Sequence, residues 1–187
     1  MKPNKIIIHH SATADGEIKN FDGIRNHHIN VNGWADIGYH YVVENIGGTY
    51  VTIKGRNENV AGVHCPGQNN QSLGICLVGD FRKGNPPQEQ LKEVARLIKD
   101  IYARYGELPL YKHSDFTATE CPVFDLQLIK DLLVEDSMDW KEKQGLIHLN
   151  NLEKKKIIDS PDFWKDKLME SMPVWAIISL IDRITDK

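Results

Sequence analysis

Residues 5–13 read KIIIHHSAT, a run of β-branched apolar side chains that ends in two adjacent histidines. Three consecutive isoleucines predict a buried strand, because β-branched residues favour extended backbone and a short apolar run suits the centre of a sheet. Successive side chains of a strand point to opposite faces, so only one of His9 and His10 can face a given site. Periodicity alone does not choose between them.

A turn-rich loop further along the chain supplies partners for that histidine. Residues 111–122 read YKHSDFTATECP and place His113 and Cys121 eight positions apart. Two histidines and one cysteine make a zinc set, because zinc accepts imidazole and thiolate together and three protein ligands leave a fourth position for water. This pattern is typical of catalytic rather than structural zinc, and it predicts a zinc hydrolase.

The order of the other segments predicts an α/β fold, a central mixed β-sheet flanked by helices. Strands are expected at residues 5–10, 38–45, 49–54 and 73–79, with a hairpin turn at 45–48. Helices are expected at 20–31, from Pro86-Pro87 to Gly106, and at 125–134. Strand alternation would put Tyr39 and Tyr41 on one face and His40 on the other.

The last part of the chain differs in composition. From Asp136 onward it is charged and rich in Trp and Lys, and helices are plausible at 138–156, 161–170 and 173–185. We therefore predict a catalytic domain at 1–136 and a small C-terminal helical appendage at 137–187. Its aromatic residues favour a small helical core, and the alternative is a surface for wall glycan or for a second copy of the chain. These residues are Trp140, Phe163, Trp164 and Trp175.

Charge and composition exclude several classes of protein. A formal net charge of -3 argues against a nucleic-acid binder. The apolar run Val174 to Ile181 is much shorter than the roughly 20 residues of a membrane span. No export signal is visible at the start, which predicts synthesis in the cytoplasm. The three cysteines, Cys65, Cys76 and Cys121, fit no paired framework, so a reduced state is expected.

Five segments, taken in order, resemble one enzyme family. They are residues 8–13 (IHHSAT), 33–41 (GWADIGYHY), 62–64 (GVH), 70–79 (NQSLGICLVG) and the loop from His113 to Pro122. The chain resembles the zinc-dependent N-acetylmuramoyl-L-alanine amidases over roughly residues 4 to 134. Amidase-type phage lysozymes and animal peptidoglycan recognition proteins share this family. The resemblance implies the same mixed sheet with flanking helices.

The resemblance also implies roles for individual residues. The Zn²⁺ ligands would be His9, His113 and Cys121. Tyr39 would be catalytic, with its hydroxyl bonded to the zinc-bound water or to the developing oxyanion. Thr119 occupies a catalytic position where some phage members carry lysine and animal amidases commonly carry threonine, so this chain offers only a neutral hydroxyl there. His64 and Trp34 would bind substrate, although Trp34 alternatively packs beneath the groove.

The implied reaction is cleavage of the amide between N-acetylmuramic acid and the L-alanine of the stem peptide in bacterial peptidoglycan. The enzyme would be an endolysin that reaches the wall after release from the cytoplasm, and its C-terminal helices would bind wall or form a homo-oligomer. Two alternatives stay open. One is a non-catalytic peptidoglycan-binding module, and the other is a cytoplasmic wall-recycling amidase that acts on soluble muropeptides.

Overall fold

The computed structural model describes residues 1–13, 20–137 and 149–156 of the 187 in the chain. The chain divides into two compact units, residues 1–133 and 134–187. In the second unit residues 149–154 are helical, within the helix expected at 138–156. The helices expected at 161–170 and 173–185 and the four aromatic residues of the appendage lie outside the described residues. So does the apolar run Val174 to Ile181.

A five-stranded mixed sheet forms the centre of the first unit, as the sequence predicts. Its strand order is β3-β2-β4-β1-β5, with β2 and β3 antiparallel and the other neighbours parallel. The strands are β1 (Lys5–His10), β2 (Tyr41–Ile46), β3 (Thr49–Lys54), β4 (Ser72–Leu77) and β5 (Leu110–Lys112). The predicted hairpin is confirmed, because Gly47 and Gly48 turn the chain with φ of 61° and 90°, which non-glycine residues rarely adopt.

Three helices accompany the sheet at the positions that the sequence predicts. They are α1 (Phe21–Asn30), α2 (Gln88–Tyr105) and α3 (Gln127–Ser137). Helix α2 follows Pro87 and ends at Gly106, whose φ of 79° suits a glycine. Its apolar side chains recur at helical spacing and pack on β2 and β3. Among the described residues, none of the helices is both long and apolar enough to cross a membrane.

The two faces of the sheet carry different cores. The face toward α2 holds a large apolar cluster that includes Ile6, Ile8, Ile75 and Ile98. The opposite face holds a small cluster of Ile37, Val42, Cys76 and Val78, against which Phe21 and Ile24 of α1 pack. His9 is in register with Cys76 on the neighbouring strand, so its side chain lies on this second face.

Two expectations about strands were wrong. β2 begins at Tyr41 rather than at residue 38, so alternation does not extend back to Tyr39. Tyr41 packs in the cluster on the α2 face, whereas Tyr39 packs against the small cluster on the other face. Strand β5 was not predicted, because three residues are too few to show a period of two.

Candidate metal centre and active-site cleft

Three side chains converge at the end of β1 on the second face of the sheet. The candidate ligand atoms of His9, His113 and Cys121 all lie within 4.8 Å of one another. His9 Nδ1 is 3.9 Å from Cys121 Sγ, and the ring centroids of His9 and His113 are 4.4 Å apart. Tetrahedral zinc with bonds of about 2.0 to 2.3 Å separates its ligand atoms by about 3.3 to 3.7 Å. The three side chains are therefore close to zinc-binding geometry.

Strand β5 explains how the distant loop reaches His9. β5 is parallel to β1 with Lys112 in register with Ile8, so the next residue, His113, lies beside His9. The loop is closed by a hydrogen bond from the Ser114 N–H to the Cys121 carbonyl, 2.9 Å long. The His10 N–H points at Cys121 Sγ, 3.4 Å away. The backbone of β1 and of its neighbour thus positions all three side chains.

The donor set fits a zinc ion. His113 Nε2 is buried and, among the described residues, has no hydrogen-bond partner, so an unused nitrogen faces the protein interior. Burial, followed by His64 and His113, lowers the pKa of His9 well below its ordinary value, which leaves a neutral imidazole. Burial raises the pKa of the Cys121 thiol to about 11, and a bound divalent cation deprotonates such a thiol.

Tyr39 lies beside this cluster. Its ring centroid is 5.1 Å from that of His9, and its side chain is half-buried. Burial, followed by Cys76 and Cys121, raises the pKa of its hydroxyl well above the ordinary value. Tyr39 is therefore a protonated hydrogen-bond donor at neutral pH rather than a base.

Trp34 lies one layer further out. Its ring centroid is 4.6 Å from that of His28, which is itself 5.5 Å from Tyr39. His28 is buried and its Nδ1 accepts a hydrogen bond from the Gly38 N–H. Trp34 therefore supports the tyrosine through His28, which matches the packing alternative for Trp34, and its contact with substrate stays a prediction.

His64 lies behind His9. The residue is 7% exposed, and its Nδ1 is 3.0 Å from Nε2 of His9. Burial, followed by the charge of His40, lowers its pKa to about 3, so the ring is neutral. Contact between His64 and substrate stays a prediction, and the contact in the structure is with a candidate metal ligand.

Thr119 lies on the exposed rim of the loop. Its Oγ1 accepts a hydrogen bond from the Cys121 N–H at 3.3 Å, so the hydroxyl helps to shape the turn that presents the thiol. A role for this hydroxyl in the reaction stays a prediction.

A cavity of about 510 Å³ opens between α1 and the end of β1. Tyr39 lines it and its ring is in contact with that of His9, so the cavity opens beside the candidate metal centre. Ser11, His27 and His28 line it as well. These three residues were not predicted to belong to the site, although the paired histidines in a helix of mixed polarity were a usable signal. The volume falls within the roughly 300 to 1,000 Å³ that is typical of pockets for small ligands.

Comparison with known proteins shows that this chain is similar to members of one family. A family model described as N-acetylmuramoyl-L-alanine amidase matches residues 1–124. The matched range contains β1, Tyr39 and the loop that supplies His113 and Cys121.

Individual relatives give the same result. The endolysin of Klebsiella phage KP32 is 33% identical over 150 residues, which are 77% of this chain and 89% of that protein. Peptidoglycan-recognition protein LB of Drosophila melanogaster is 37% identical over 128 residues, 63% of this chain and 53% of that protein. The solved structure of N-acetylmuramoyl-L-alanine amidase LysC from Clostridium intestinale URNW is 30% identical with a TM-score of 0.63. The match covers 72% of this chain and 87% of that one. The predicted fold class is confirmed.

Proposed function

The chain belongs to the N-acetylmuramoyl-L-alanine amidase family and is a peptidoglycan amidase, and we propose that it works as a zinc enzyme through His9, His113 and Cys121. The proposed reaction is hydrolysis of the amide between N-acetylmuramic acid and L-alanine of the stem peptide. The observation that carries the proposal is the convergence of the three side chains within 4.8 Å, beside Tyr39, which lines a cavity of about 510 Å³.

The arrangement supports a division of labour among the side chains. Zinc held there would polarise the scissile carbonyl and acidify a water in its open fourth position. The cavity between α1 and β1 would hold the stem peptide, with Ser11 and His27 offering polar contacts. The Tyr39 hydroxyl would donate a hydrogen bond to the oxygen on which charge develops. Thr119 would add only a neutral donor, which is weaker than the lysine of some relatives.

The site of action we propose is the bacterial cell wall, as for the endolysins among the relatives. Residues 137–187 would then serve as an appendage that binds wall or a second copy of the chain. A chain ending at Asp136 should still bind zinc and cleave soluble muropeptides while binding intact wall less. If it binds zinc but cannot cleave a small soluble substrate, the appendage completes the active site and the domain division is wrong.

Mass spectrometry of muropeptides tests the reaction. Purified wall and, separately, soluble muropeptides are incubated with the protein, with and without a zinc chelator. We expect release of intact stem peptides without glycan cleavage, and loss of that release in chelator. Activity on intact wall favours an endolysin, whereas activity on soluble fragments alone favours the wall-recycling alternative.

His113→Ala serves as the matched control, because it removes one ligand from the edge of the sheet. It should abolish peptide release and zinc retention together. Binding of wall with no bond cleaved by the zinc-loaded wild type would favour the non-catalytic module and contradict the proposal.

A further inference from the structure

A chain of hydrogen bonds runs from His9 into the protein. His9 Nε2 lies 3.0 Å from His64 Nδ1, and His64 Nε2 lies 3.4 Å from Ser72 Oγ. Ser72 Oγ in turn lies 2.8 Å from the carbonyl oxygen of Gln68. The three residues whose side chains form this series of hydrogen bonds are buried, with relative exposures of 1% for His9, 7% for His64 and 0% for Ser72. Water therefore does not compete for these contacts.

The last acceptor fixes the direction of every bond in the chain. A carbonyl oxygen can only accept, so the single hydroxyl proton of Ser72 is donated to Gln68. Ser72 Oγ must then accept from His64, which places the proton of that neutral ring on Nε2. His64 Nδ1 is left with a lone pair and accepts from His9 Nε2–H. The remaining nitrogen, His9 Nδ1, carries no proton.

This nitrogen is the one that faces the candidate metal centre. His9 Nδ1 lies 3.9 Å from Cys121 Sγ, whereas Nε2 is occupied by His64. A metal binds only the unprotonated nitrogen of imidazole, so the tautomer decides whether His9 can act as a ligand. We propose that His64, set by Ser72 and the Gln68 carbonyl, is the positioning residue that holds His9 in the tautomer that binds zinc. This inference rests on the zinc site proposed above.

The surroundings of His64 fix its ring. A Cβ built on Gly62 would lie 2.4 Å from His64 Cδ2, and one built on Gly74 would lie 2.6 Å from His64 Cγ. Only glycine therefore leaves room for the ring at these two positions. The backbone is fixed as well, because Asn69 Oδ1 accepts from the N–H groups of both His64 and Cys65 at 2.9 Å.

Two substitutions separate positioning from packing. His64→Phe keeps a ring of similar shape and removes the acceptor for His9 Nε2–H. His64→Asn removes the ring and keeps an acceptor oxygen near the position of Nδ1. The zinc Kd of each full-length variant is measured by competition with a chromophoric chelator, after thermal unfolding of the zinc-free form has established that it is folded.

A positioning role and a packing role of His64 predict opposite rankings of zinc affinity for the two variants. We expect His64→Phe to weaken zinc binding about 10- to 100-fold, the usual effect of losing a residue that orients a ligand, and His64→Asn to weaken it less. If His64→Phe binds zinc as tightly as wild type, or if His64→Asn is the weaker binder, the inference is overturned. If the wild type itself binds no zinc, it is the proposed function that fails.

The tautomer can also be observed in the zinc-free wild type, without any substitution. Ring ¹⁵N shifts and two-bond couplings from NMR distinguish a proton on Nε2 from one on Nδ1. We expect His9 and His64 both to carry the proton on Nε2. A proton on Nδ1 of His9 would overturn the inference whatever the variants do.

Discussion

The two faces of the central sheet are built from the same strands and carry different kinds of side chain. On β1, Ile8 belongs to the large apolar cluster on the α2 face, while its neighbour His9 lies on the opposite face among His64, Tyr39 and Cys121. The core on the face toward α2 is apolar, with mostly aliphatic side chains and a few aromatic ones such as Tyr41, Phe81 and Phe124. The other face has a small apolar cluster beside buried polar groups that hydrogen-bond to one another.

The stability of the fold comes mainly from the α2 face, and the candidate chemistry lies on the other face. Aliphatic burial stabilises the fold by about 25 cal/mol for each Å² removed from water. A buried imidazole gives little of that stabilisation and costs free energy unless its nitrogens are partnered. The second face therefore depends on the first for its rigidity, and the substitutions below separate the two contributions.

The largest expected effect is a loss of stability caused by a substitution on the face toward α2. Ile98 on α2 is fully buried in the large cluster, so Ile98→Ala should lower the free energy of unfolding by about 2 to 5 kcal/mol. Denaturant unfolding measures this change. Zinc stoichiometry and turnover per folded molecule should stay near wild type, and loss of zinc from a folded Ile98→Ala protein would show that the faces are not separable.

Tyr39→Phe tests the polar face, because it should lower activity and leave stability unchanged. It removes only a hydroxyl beside His9, so zinc and stability should be retained. Loss of one donor to a developing oxyanion typically lowers turnover roughly 100- to 1000-fold. Steady-state kinetics on a defined muropeptide measures the change, and unchanged kcat would reduce Tyr39 to a packing residue.

Acid should destabilise the zinc-free protein through the polar face. Burial lowers the pKa of His28 to about 4 and that of His64 to about 3, from 6.5 in an unfolded chain. The unfolded state therefore binds more protons below pH 6.5, so the free energy of unfolding must fall as the pH falls from 6.5 toward these values. Between pH 6.5 and about 5 most carboxylates stay charged, which isolates the histidines.

Urea unfolding at a series of pH values, in the presence of a chelator, measures this loss. His28→Gln serves as the matched variant, because it removes one of the groups and should reduce the slope with pH. A stability that is flat or rising as the pH falls from 6.5 to 5 would contradict the histidine assignment.

The smallest expected effect is that of Thr119→Ala. Thr119 is exposed and its hydroxyl is a neutral group that accepts from the Cys121 N–H, so we expect less than about a tenfold loss of turnover. Zinc affinity should change little. A loss as large as that of Tyr39→Phe would give Thr119 a direct part in the reaction.

Much of the fold could be predicted from the sequence because local residue patterns determine its elements. The isoleucine run of β1, the glycine pair of the hairpin and the apolar period of α2 each define an element without reference to the rest of the chain. β5 was missed because its only determinant is pairing with β1, a contact between residues about one hundred positions apart. That same pairing places His113 beside His9.

The parts of the candidate site that depend on the chemistry of the residues could be predicted from the sequence. The parts that depend on packing could not. His9, His113 and Cys121 were grouped by their donor atoms, and the structure brings them together. The prediction that Tyr39 and Tyr41 share a face was wrong, because the strand begins at Tyr41, three residues later than its apolar pattern suggests. The contact between His64 and His9 joins a loop to strand β1 over 55 positions of sequence, and no spacing in the sequence indicates it.

The central claim, that the polar face holds a zinc ion needed for cleavage, is tested most directly on two adjacent residues. Zinc per chain is measured by mass spectrometry of the metal in purified, folded wild type, Ile8→Ala and His9→Ala. We expect one zinc in wild type and in Ile8→Ala, which should be less stable, and loss of zinc and of amidase activity from a folded His9→Ala protein. Full zinc content and activity in His9→Ala would contradict it.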